Sequence, residues 1–125
     1  MAKILVAEDE LHIRELIGFT LTFGGHEVTT VANGAEAVEV APTLLPDLIM
    51  LDVRMPRMTG YEACHLIRQN PTLEKTPVII LTAMGQDEEI DRGLEAGATA
   101  YILKPFDPMD LVRRVGDILG KAGIT

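Results

Sequence analysis

Five short hydrophobic segments recur along the chain, with room for a helix between each pair. The segments are Lys3–Ala7, Glu27–Val31, Asp47–Leu51, Pro77–Leu81 and Ala100–Leu103. The third and fourth are almost continuously apolar, which is typical of strands covered on both faces in a parallel sheet. The second is more polar and alternates weakly, as expected of an edge strand. The pattern therefore predicts five strands.

Helical patterns fill the intervals between these segments. After Asp9, side chains suited to one buried helical face recur at the expected spacing. The positions are Ile13, Leu16, Ile17, Thr20 and Leu21. Start signals precede three further helices, and Pro42 and Pro46 bound the end of the second. These signals are Asn33 with Glu36, the capping box of Thr59 and Glu62, and Asp107 followed by Pro108.

The segment Gln86–Ala96 gives the weakest helix prediction. Its apolar positions are only Ile90 and Leu94, and glycines occupy positions 93 and 97. Because few apolar side chains can anchor this helix, we expect it to have low local stability and to be the mobile one.

Strand and helix patterns thus alternate five times, with connections short enough for right-handed crossovers. This order predicts an α/β fold, a doubly wound (βα)5 sandwich around a five-stranded parallel sheet. The 125 residues fit a single domain over positions 1–125, without a sequence repeat or a linker. In such folds ligands bind beyond the carboxyl ends of the strands, so the residues at those ends are the functional candidates.

Composition narrows the classes of partner. Hydrophobic residues make up 47% of the chain, but no run approaches the ~20 apolar residues of a membrane span. The N-terminal segment turns acidic where a signal peptide would still be apolar, and Cys64 is the single cysteine. We therefore expect a cytoplasmic protein with no membrane partner. The net charge of −8 argues against direct nucleic-acid binding, which relies on Lys and Arg.

Polar side chains stand at the ends of four predicted strands. Glu8 and Asp9 follow the first, Asp52 the third, Thr82 the fourth and Lys104 the fifth. Three carboxylates on one rim repel each other, by about 4 kcal/mol for two unit charges ~4 Å apart at an effective dielectric constant near 20. A proton or a cation must relieve this repulsion. Oxygen ligands of this kind are what Mg²⁺ prefers, and Lys104 is a second source of positive charge.

The same residue types suit phosphoryl transfer to a carboxylate. An aspartate can act as a nucleophile and form an acyl phosphate. The reaction needs a metal to screen the phosphoryl oxygens, a cation to pair with them and a hydroxyl donor, and Mg²⁺, Lys104 and Thr82 fill these roles. Ala83 is small enough to leave room for the group. The acidic run at positions 8–10 would instead repel the phosphate of a nucleotide or flavin.

Four motifs, in order along the chain, carry a resemblance that covers essentially its whole length. They are ILVAEDE, LIMLDVRMPRMTGYE, VIILTA and AYILKPF. The chain resembles a response-regulator receiver domain, the kind paired with sensor histidine kinases. The resemblance implies a flavodoxin-like sheet of order 2-1-3-4-5 and a phosphorylation-activated switch of a two-component system. It implies that Asp52 accepts a phosphoryl group from a histidine kinase or phosphotransfer protein, with slow autodephosphorylation at most in place of enzymatic turnover.

The resemblance further implies a metal site. Mg²⁺, with Mn²⁺ as a substitute ion, would be served by Glu8, Asp9, Asp52 and the backbone carbonyl of Arg54, with Glu8 acting through water. Arg54 and Met84 flank the path of an attacking water, and we expect them to tune the rate of hydrolysis.

The resemblance implies a switch mechanism as well. Thr82 and Tyr101 form the switch pair, and Lys104 contacts the phosphoryl group ahead of a cis peptide bond to Pro105. On phosphorylation Thr82 would turn toward the phosphoryl oxygens, which would vacate space for Tyr101 to rotate inward. The weakly anchored helix Gln86–Ala96 would then shift with its loop.

A downstream protein partner is expected on one face of the domain. This face comprises Gln86–Ala96, Tyr101 and Leu111–Leu119. Its basic side would consist of Arg92, Arg113 and Arg114, unless these arginines only form a solvated helix surface. Many DNA-binding regulators carry two acidic residues just before the switch aromatic, but here Thr99 and Ala100 stand there. We therefore expect a monomer or a weak dimer.

Simpler and rival interpretations remain open. Taken alone, Asp9 could be the N-cap of the first helix, and Thr82 could form a hydrogen bond to the backbone. Lys104 could be a solvated surface lysine. A Mg²⁺-dependent phosphatase would use Asp52 as a transient nucleophile, but such enzymes typically need a second Asp two residues later, where this chain has Arg54. The third class is an interaction module that does not depend on phosphorylation.

Overall fold

A computed structural model describes residues 2–83 and 87–123 of the chain, and strands and helices alternate along them. The strands are β1 (Lys3–Ala7), β2 (Glu27–Val31), β3 (Leu48–Asp52), β4 (Val78–Ala83) and β5 (Ala100–Lys104). The helices are α1 (Leu11–Phe23), α2 (Gly34–Leu44), α3 (Gly60–Arg68), α4 (Asp87–Glu95) and α5 (Pro108–Lys121), with a short 3₁₀ turn at Pro71–Leu73.

The strands form one parallel sheet in the order β2-β1-β3-β4-β5. In this sheet Ile4 of β1 lies opposite both Val28 of β2 and Leu48 of β3. Ile49 of β3 lies opposite Val78 of β4. The predicted doubly wound α/β fold with a 2-1-3-4-5 sheet is therefore confirmed, and β2 is an edge strand, as its polar pattern indicates.

The central strands are buried on both faces because helices cover each side of the sheet. Successive side chains of a strand point to opposite faces, so Ile49 packs with the residues of α2 and α3 while Met50 packs with those of α1 and α5. Every residue of β3 is buried. Full burial of one large apolar side chain contributes about 1.5–3 kcal/mol, which explains why these strands are almost continuously hydrophobic.

Three strands extend past their predicted carboxyl ends. β3 includes Asp52, β4 includes Thr82 and Ala83, and β5 includes Lys104, whereas the hydrophobic pattern stops one or two residues earlier. The ladder can carry polar residues because its hydrogen bonds are made by the backbone, whatever the side chain. Asp52, Thr82 and Lys104 thus sit on the strand ends themselves, whereas Glu8 and Asp9 directly follow β1.

The predicted helix starts are confirmed at three positions, where a side-chain oxygen accepts from a backbone N–H of the first turn. These caps are Asn33, Thr59 with its partner Glu62, and Asp107. The end of the second helix lies between Pro42 and Pro46, as predicted. α2 continues through Pro42 to Leu44 and is capped by Leu45 in the left-handed region, with φ 51°. Pro42 lies in the last turn and is exposed, so it removes only one hydrogen bond there.

The helix predicted over Gln86–Ala96 forms as α4 and ends at Glu95, one residue before the predicted end. Its predicted first residue, Gln86, lies outside the described residues. Among residues 90–95 only Gly93 is buried, while Ile90 is half-buried and Leu94 is 48% exposed. The sparse anchoring matches the apolar pattern, and the mobility of this helix stays a prediction. Within the described part of the chain, no helix has the length and apolar character needed to cross a bilayer.

Candidate functional site

The carboxyl ends of β1, β3, β4 and β5 meet at one rim of the sheet and bring the predicted polar residues together. Carboxylate oxygens of Glu8, Asp9 and Asp52 lie within 4.8 Å of one another. Glu8 and Asp52 are only 1% and 6% exposed, whereas Asp9 is exposed. Asp52 is more than 40 positions away from Glu8 and Asp9 in the sequence and becomes their neighbour because β1 and β3 are adjacent in the sheet.

Lys104 bridges the two buried carboxylates. Its Nζ lies 2.8 Å from Glu8 Oε1 and 2.8 Å from Asp52 Oδ1. The ammonium group thus offsets part of the repulsion within the cluster, so Lys104 is not a solvated surface lysine. One ammonium facing three carboxylates leaves the rim negatively charged, which favours a further cation.

The environment of Glu8 favours its protonated form. Burial, which is the largest effect, and the charge of Asp52 raise the pKa of Glu8 to about 7, against the lowering effect of the hydrogen bond from Lys104. Burial also disfavours the charged form of Lys104, but its hydrogen bonds to Asp52 and Glu8 outweigh this effect and raise the pKa of Lys104. Near neutral pH a proton on Glu8 therefore competes with any metal ion for the same oxygens.

Asp9 is not the N-cap of α1. The cap is Glu10, whose carboxylate accepts from the backbone N–H of Ile13 at 2.8 Å. This finding overturns the interpretation of Asp9 as a purely structural cap and leaves its carboxylate in the acidic cluster. The signal was ambiguous in the sequence, because two adjacent acidic residues precede the helix.

A small cavity opens beside Asp52. It has a volume of about 130 Å³ and is lined by Asp52, Arg54, Thr82, Ala83 and Lys104 among others. One water needs only about 10–15 Å³ measured in this way, so the cavity has room for a larger group. Thr82 lines this cavity and is 1% exposed, so its side chain is shielded from bulk solvent.

The other predicted residues are placed as follows. Tyr101 is half-buried in β5, and the peptide bond between Lys104 and Pro105 is cis. Arg54 is exposed at the mouth of the cavity. Met84 lies outside the described residues. The metal role of the Arg54 carbonyl, the switch role of Tyr101 and the rate-tuning roles stay predictions.

Two supporting residues were missed by the sequence reasoning. Gly60, the first residue of α3, packs so closely on β3 that a Cβ at this position would lie 2.3 Å from the carbonyl oxygen of Asp52. Arg14 of α1 donates to the backbone carbonyl of Glu8 at 3.0 Å. A glycine directly after a capping threonine is a signal for close packing, but Arg14 carried no recognisable signal.

The predicted basic side of the output face is engaged within the domain. Arg92 stacks over the ring of Tyr61, with its Cζ 4.7 Å from the ring centroid. Arg113 pairs with Asp110 on α5, and Arg114 donates to the backbone carbonyl of Tyr101 at 2.8 Å. Within the predicted segment Leu111–Leu119, three apolar residues belong to the core. They are Leu111, Val115 and Leu119.

Comparison with known sequences identifies the family of the chain. The model of the response regulator receiver domain family matches residues 4–116. The chain is 43% identical over 124 residues to the alkaline phosphatase synthesis transcriptional regulatory protein PhoP of Bacillus subtilis, covering 98% of this chain and 50% of that protein. It is 41% identical over 122 residues to the phosphate regulon transcriptional regulatory protein PhoB of Rhizobium meliloti, covering 98% and 54%. The chain thus spans about half the length of the curated relatives it matches.

Solved structures agree with the sequence comparison. The chemotaxis protein CheY4 of Vibrio cholerae superposes with a TM-score of 0.90 at 37% identity, covering 95% of this chain and 99% of that one. The receiver domain of the sensor histidine kinase PA1611 from Pseudomonas aeruginosa, solved with a magnesium ion coordinated in its active-site cleft, gives a TM-score of 0.89 at 34% identity, covering 95% and 98%. This chain therefore belongs to the response regulator receiver domain family of two-component signalling.

Proposed function

We propose that Asp52 accepts a phosphoryl group from a histidine kinase or a phosphotransfer protein, in a Mg²⁺-dependent step. One observation carries the proposal. The Asp52 carboxylate is buried, lies 2.8 Å from an ammonium group and opens onto a cavity that also contains a buried hydroxyl. A nucleophile, a cation and a donor thus surround one small space.

The donor set fits Mg²⁺. Three carboxylates whose oxygens lie within 4.8 Å of one another, on a rim that keeps a net negative charge, match the hard oxygen ligands that this ion prefers. Glu8, Asp9 and Asp52 would hold the ion, and Mn²⁺ would substitute for it. When bound, the ion screens the negative charge of the phosphoryl oxygens. The magnesium ion in the cleft of PA1611 supports the same assignment here.

The residues of the chain supply the rest of the chemistry. An Asp52 carboxylate oxygen forms a bond to phosphorus while the bond from phosphorus to the donor's imidazole nitrogen breaks, and the electron pair leaves with the imidazole, which takes up a proton. Lys104 is placed to transfer its contact from the Asp52 carboxylate to a phosphoryl oxygen. The Thr82 hydroxyl is placed to donate to another oxygen, and the small side chain of Ala83 leaves space beside it.

A labelling experiment tests the proposal. Incubation with a small acyl-phosphate donor and Mg²⁺ should add the mass of one phosphoryl group, and a chelator should prevent it. Asp52→Asn should abolish the addition. Asp117→Asn, which changes an exposed carboxylate on α5, should leave it intact. Labelling of Asp52→Asn to the wild-type level would identify another acceptor and refute the proposal.

The consequence that we propose for phosphorylation is a changed protein-binding face. A hydroxyl that follows the phosphoryl group would move the end of β4, and Tyr101 of the neighbouring strand is half-buried and able to respond. The affected face comprises α4, Tyr101 and the exposed side of α5. A pull-down that compares phosphorylated protein with Asp52→Asn should retain different proteins. Identical sets would argue for a module that does not depend on phosphorylation.

We propose that the chain is an acceptor and not a turnover enzyme. Arg54 occupies the position where a phosphatase of this chemistry needs an acidic residue, so only slow hydrolysis of the chain's own acyl phosphate is expected. The net charge of −8 supports the further proposal that the chain makes no direct nucleic-acid contact. Steady turnover of an external phosphomonoester, lost in Asp52→Asn, would contradict the first point.

A further inference from the structure

Three residues on one face of α3 hold the C-terminal end of α4. Tyr61, Cys64 and Arg68 are spaced three and four positions apart, so they line one side of the helix. The ring of Tyr61 lies under the Arg92 guanidinium, and the Cys64 thiol lies 3.5 Å from the carbonyl oxygen of Ala96. We call Tyr61, Cys64 and Arg68 the α3 anchor.

Arg68 makes the largest number of contacts in the α3 anchor. Its Nε donates to the carbonyl of Gly97 at 2.8 Å, directly after α4. Its other nitrogens donate to the carbonyls of Leu73 at 3.0 Å and Thr76 at 2.6 Å, and to the hydroxyl of Thr99 at 3.3 Å. One guanidinium therefore connects the end of α3, the segment leading into β4 and the turn between α4 and β5.

The turn after α4 is shaped around this arginine. Gly97 has φ +108°, in the left-handed region that favours glycine, and a Cβ there would lie 2.8 Å from Arg68 Cγ. Thr99 accepts from the backbone N–H of Val78 at 3.1 Å, and its own N–H donates to the Val78 carbonyl at 2.7 Å. The segment between α4 and β5 is thus tied to the first residue of β4, at the amino-terminal ends of the strands, opposite the functional rim.

The other end of α4 lies toward the rim. The helix follows β4 and precedes β5 in a parallel sheet, so its first turn is near the carboxyl end of β4, where Thr82 stands. Along its described side chains α4 packs on the sheet mainly through Gly93, whose position lies close to Ile80. A helix that is tied at one end and thinly packed along residues 90–95 moves most easily by a swing of the end nearest the site.

We propose that the α3 anchor is a pivot, which keeps the C-terminal end of α4 in place and confines the response to phosphorylation to the first turns of the helix. The proposal rests on the proposed function of Asp52, because that function supplies the signal. The pivot gives the movement a direction. A partner that contacts the start of α4 would sense the switch, whereas a partner at residues 95–98 would not.

Amide chemical shifts recorded with and without beryllofluoride and Mg²⁺, a mimic of the phosphoryl group, test the pivot. In the wild type, large shifts should appear in the first turn of α4, while the amides of Ala96, Gly97 and Ala98 change little. In Arg68→Met the shifts should spread to these three amides. Their hydrogen exchange should also accelerate at least about tenfold, because a charged group's hydrogen bonds are lost. Arg113→Met, an exposed arginine of α5, is the matched control and should behave as wild type.

Arg92→Met provides a second variant, because Arg92 is exposed and its loss should not prevent folding. It should spread the shifts in the same direction but less, because it removes the ring contact alone. Shifts at Ala96–Ala98 as large as those in the first turn of wild-type α4 would overturn the pivot. So would an Arg68→Met protein that exchanges these amides at the rate of Arg113→Met. If beryllofluoride does not bind at all, the proposed function of Asp52 fails, and the exchange rates alone then decide whether Arg68 holds this end of α4.

Discussion

Gly60→Ala is the substitution that most directly tests how β3, the strand that carries Asp52, is supported. Gly60 begins α3 and donates its backbone N–H to the carbonyl of Val53 at 3.0 Å. An added Cβ would lie 2.3 Å from the carbonyl oxygen of Asp52, 3.0 Å from its carbonyl carbon and 3.2 Å from Val53 Cα. All three neighbours are backbone atoms of the end of β3, so no side-chain rotation can relieve the clash.

The size of the effect follows from these distances. Helix and strand must separate by about 1 Å to restore ordinary contact, and overpacking of this kind costs about 1–3 kcal/mol. Lengthening the hydrogen bond to Val53 costs about 1 kcal/mol more. Alanine regains about 1 kcal/mol over glycine in a helix. We expect the free energy of unfolding to fall by about 2 kcal/mol and the Tm by about 8 °C.

Urea denaturation and a Mg²⁺ titration would measure both consequences. Gly116→Ala is the matched control, because Gly116 lies within α5 and nothing approaches its Cβ position within 4 Å. It should raise the free energy of unfolding by about 1 kcal/mol and leave Mg²⁺ affinity unchanged. Gly60→Ala should weaken Mg²⁺ binding as well, since Asp52 moves with its backbone. A Gly60→Ala protein as stable as Gly116→Ala, with unchanged Mg²⁺ affinity, would show that the contact relaxes freely and refute this reasoning.

Three further predictions concern charge, backbone strain and capping. Burial raises the pKa of Glu8 from 4.5 to about 7, so the wild type loses free energy of unfolding as the pH rises through this range. Without metal, Glu8→Gln should therefore become more stable relative to the wild type between pH 4.5 and 7. Equal pH profiles from denaturation in the presence of a chelator would contradict this prediction. Arg57 is exposed and has φ 70°, a backbone region that asparagine tolerates better than arginine. Arg57→Asn should therefore raise the free energy of unfolding by about 0.5–1 kcal/mol and the Tm by a few degrees. A lower Tm would argue for a favourable role of the arginine. Thr59→Ala should lower the free energy of unfolding, measured by urea denaturation, by about 1 kcal/mol, because it removes the hydrogen bond that Thr59 accepts from the N–H of Glu62. Thr43→Ala, on the exposed end of α2, should lower it by less.

The sequence predicted which residues form the rim but not the distances between their side chains. Strand periodicity placed Glu8, Asp9, Asp52, Thr82 and Lys104 at strand ends, and the parallel topology brought them together. No local pattern specifies that Lys104 bridges two buried carboxylates 2.8 Å away, or that burial shifts the pKa of Glu8 toward neutrality. These properties depend on the distances between strands that are remote in the sequence.

Some local signals in the sequence were compatible with more than one structure. Two adjacent acidic residues precede α1, and only the folded helix shows that Glu10 is its cap and that Asp9 stays with the cluster. The three arginines expected on the basic side of the output face contact a ring, a carboxylate and a carbonyl of the same domain, and their role toward a partner stays a prediction. A long cationic side chain reaches partners that its position in the sequence does not reveal.

The sequence by itself determined the order of the elements, the parallel sheet and the identity of the rim residues, because hydrophobic periodicity and helix caps depend on neighbours within a few positions. Tertiary structure decided the contacts that join distant segments. Gly60 against Asp52 and Arg68 against Gly97 depend on how α3 packs, and that packing is set by the whole core. The residues of the rim can therefore be identified from the sequence, whereas the support of β3 and the anchoring of α4 depend on how the helices pack on the sheet.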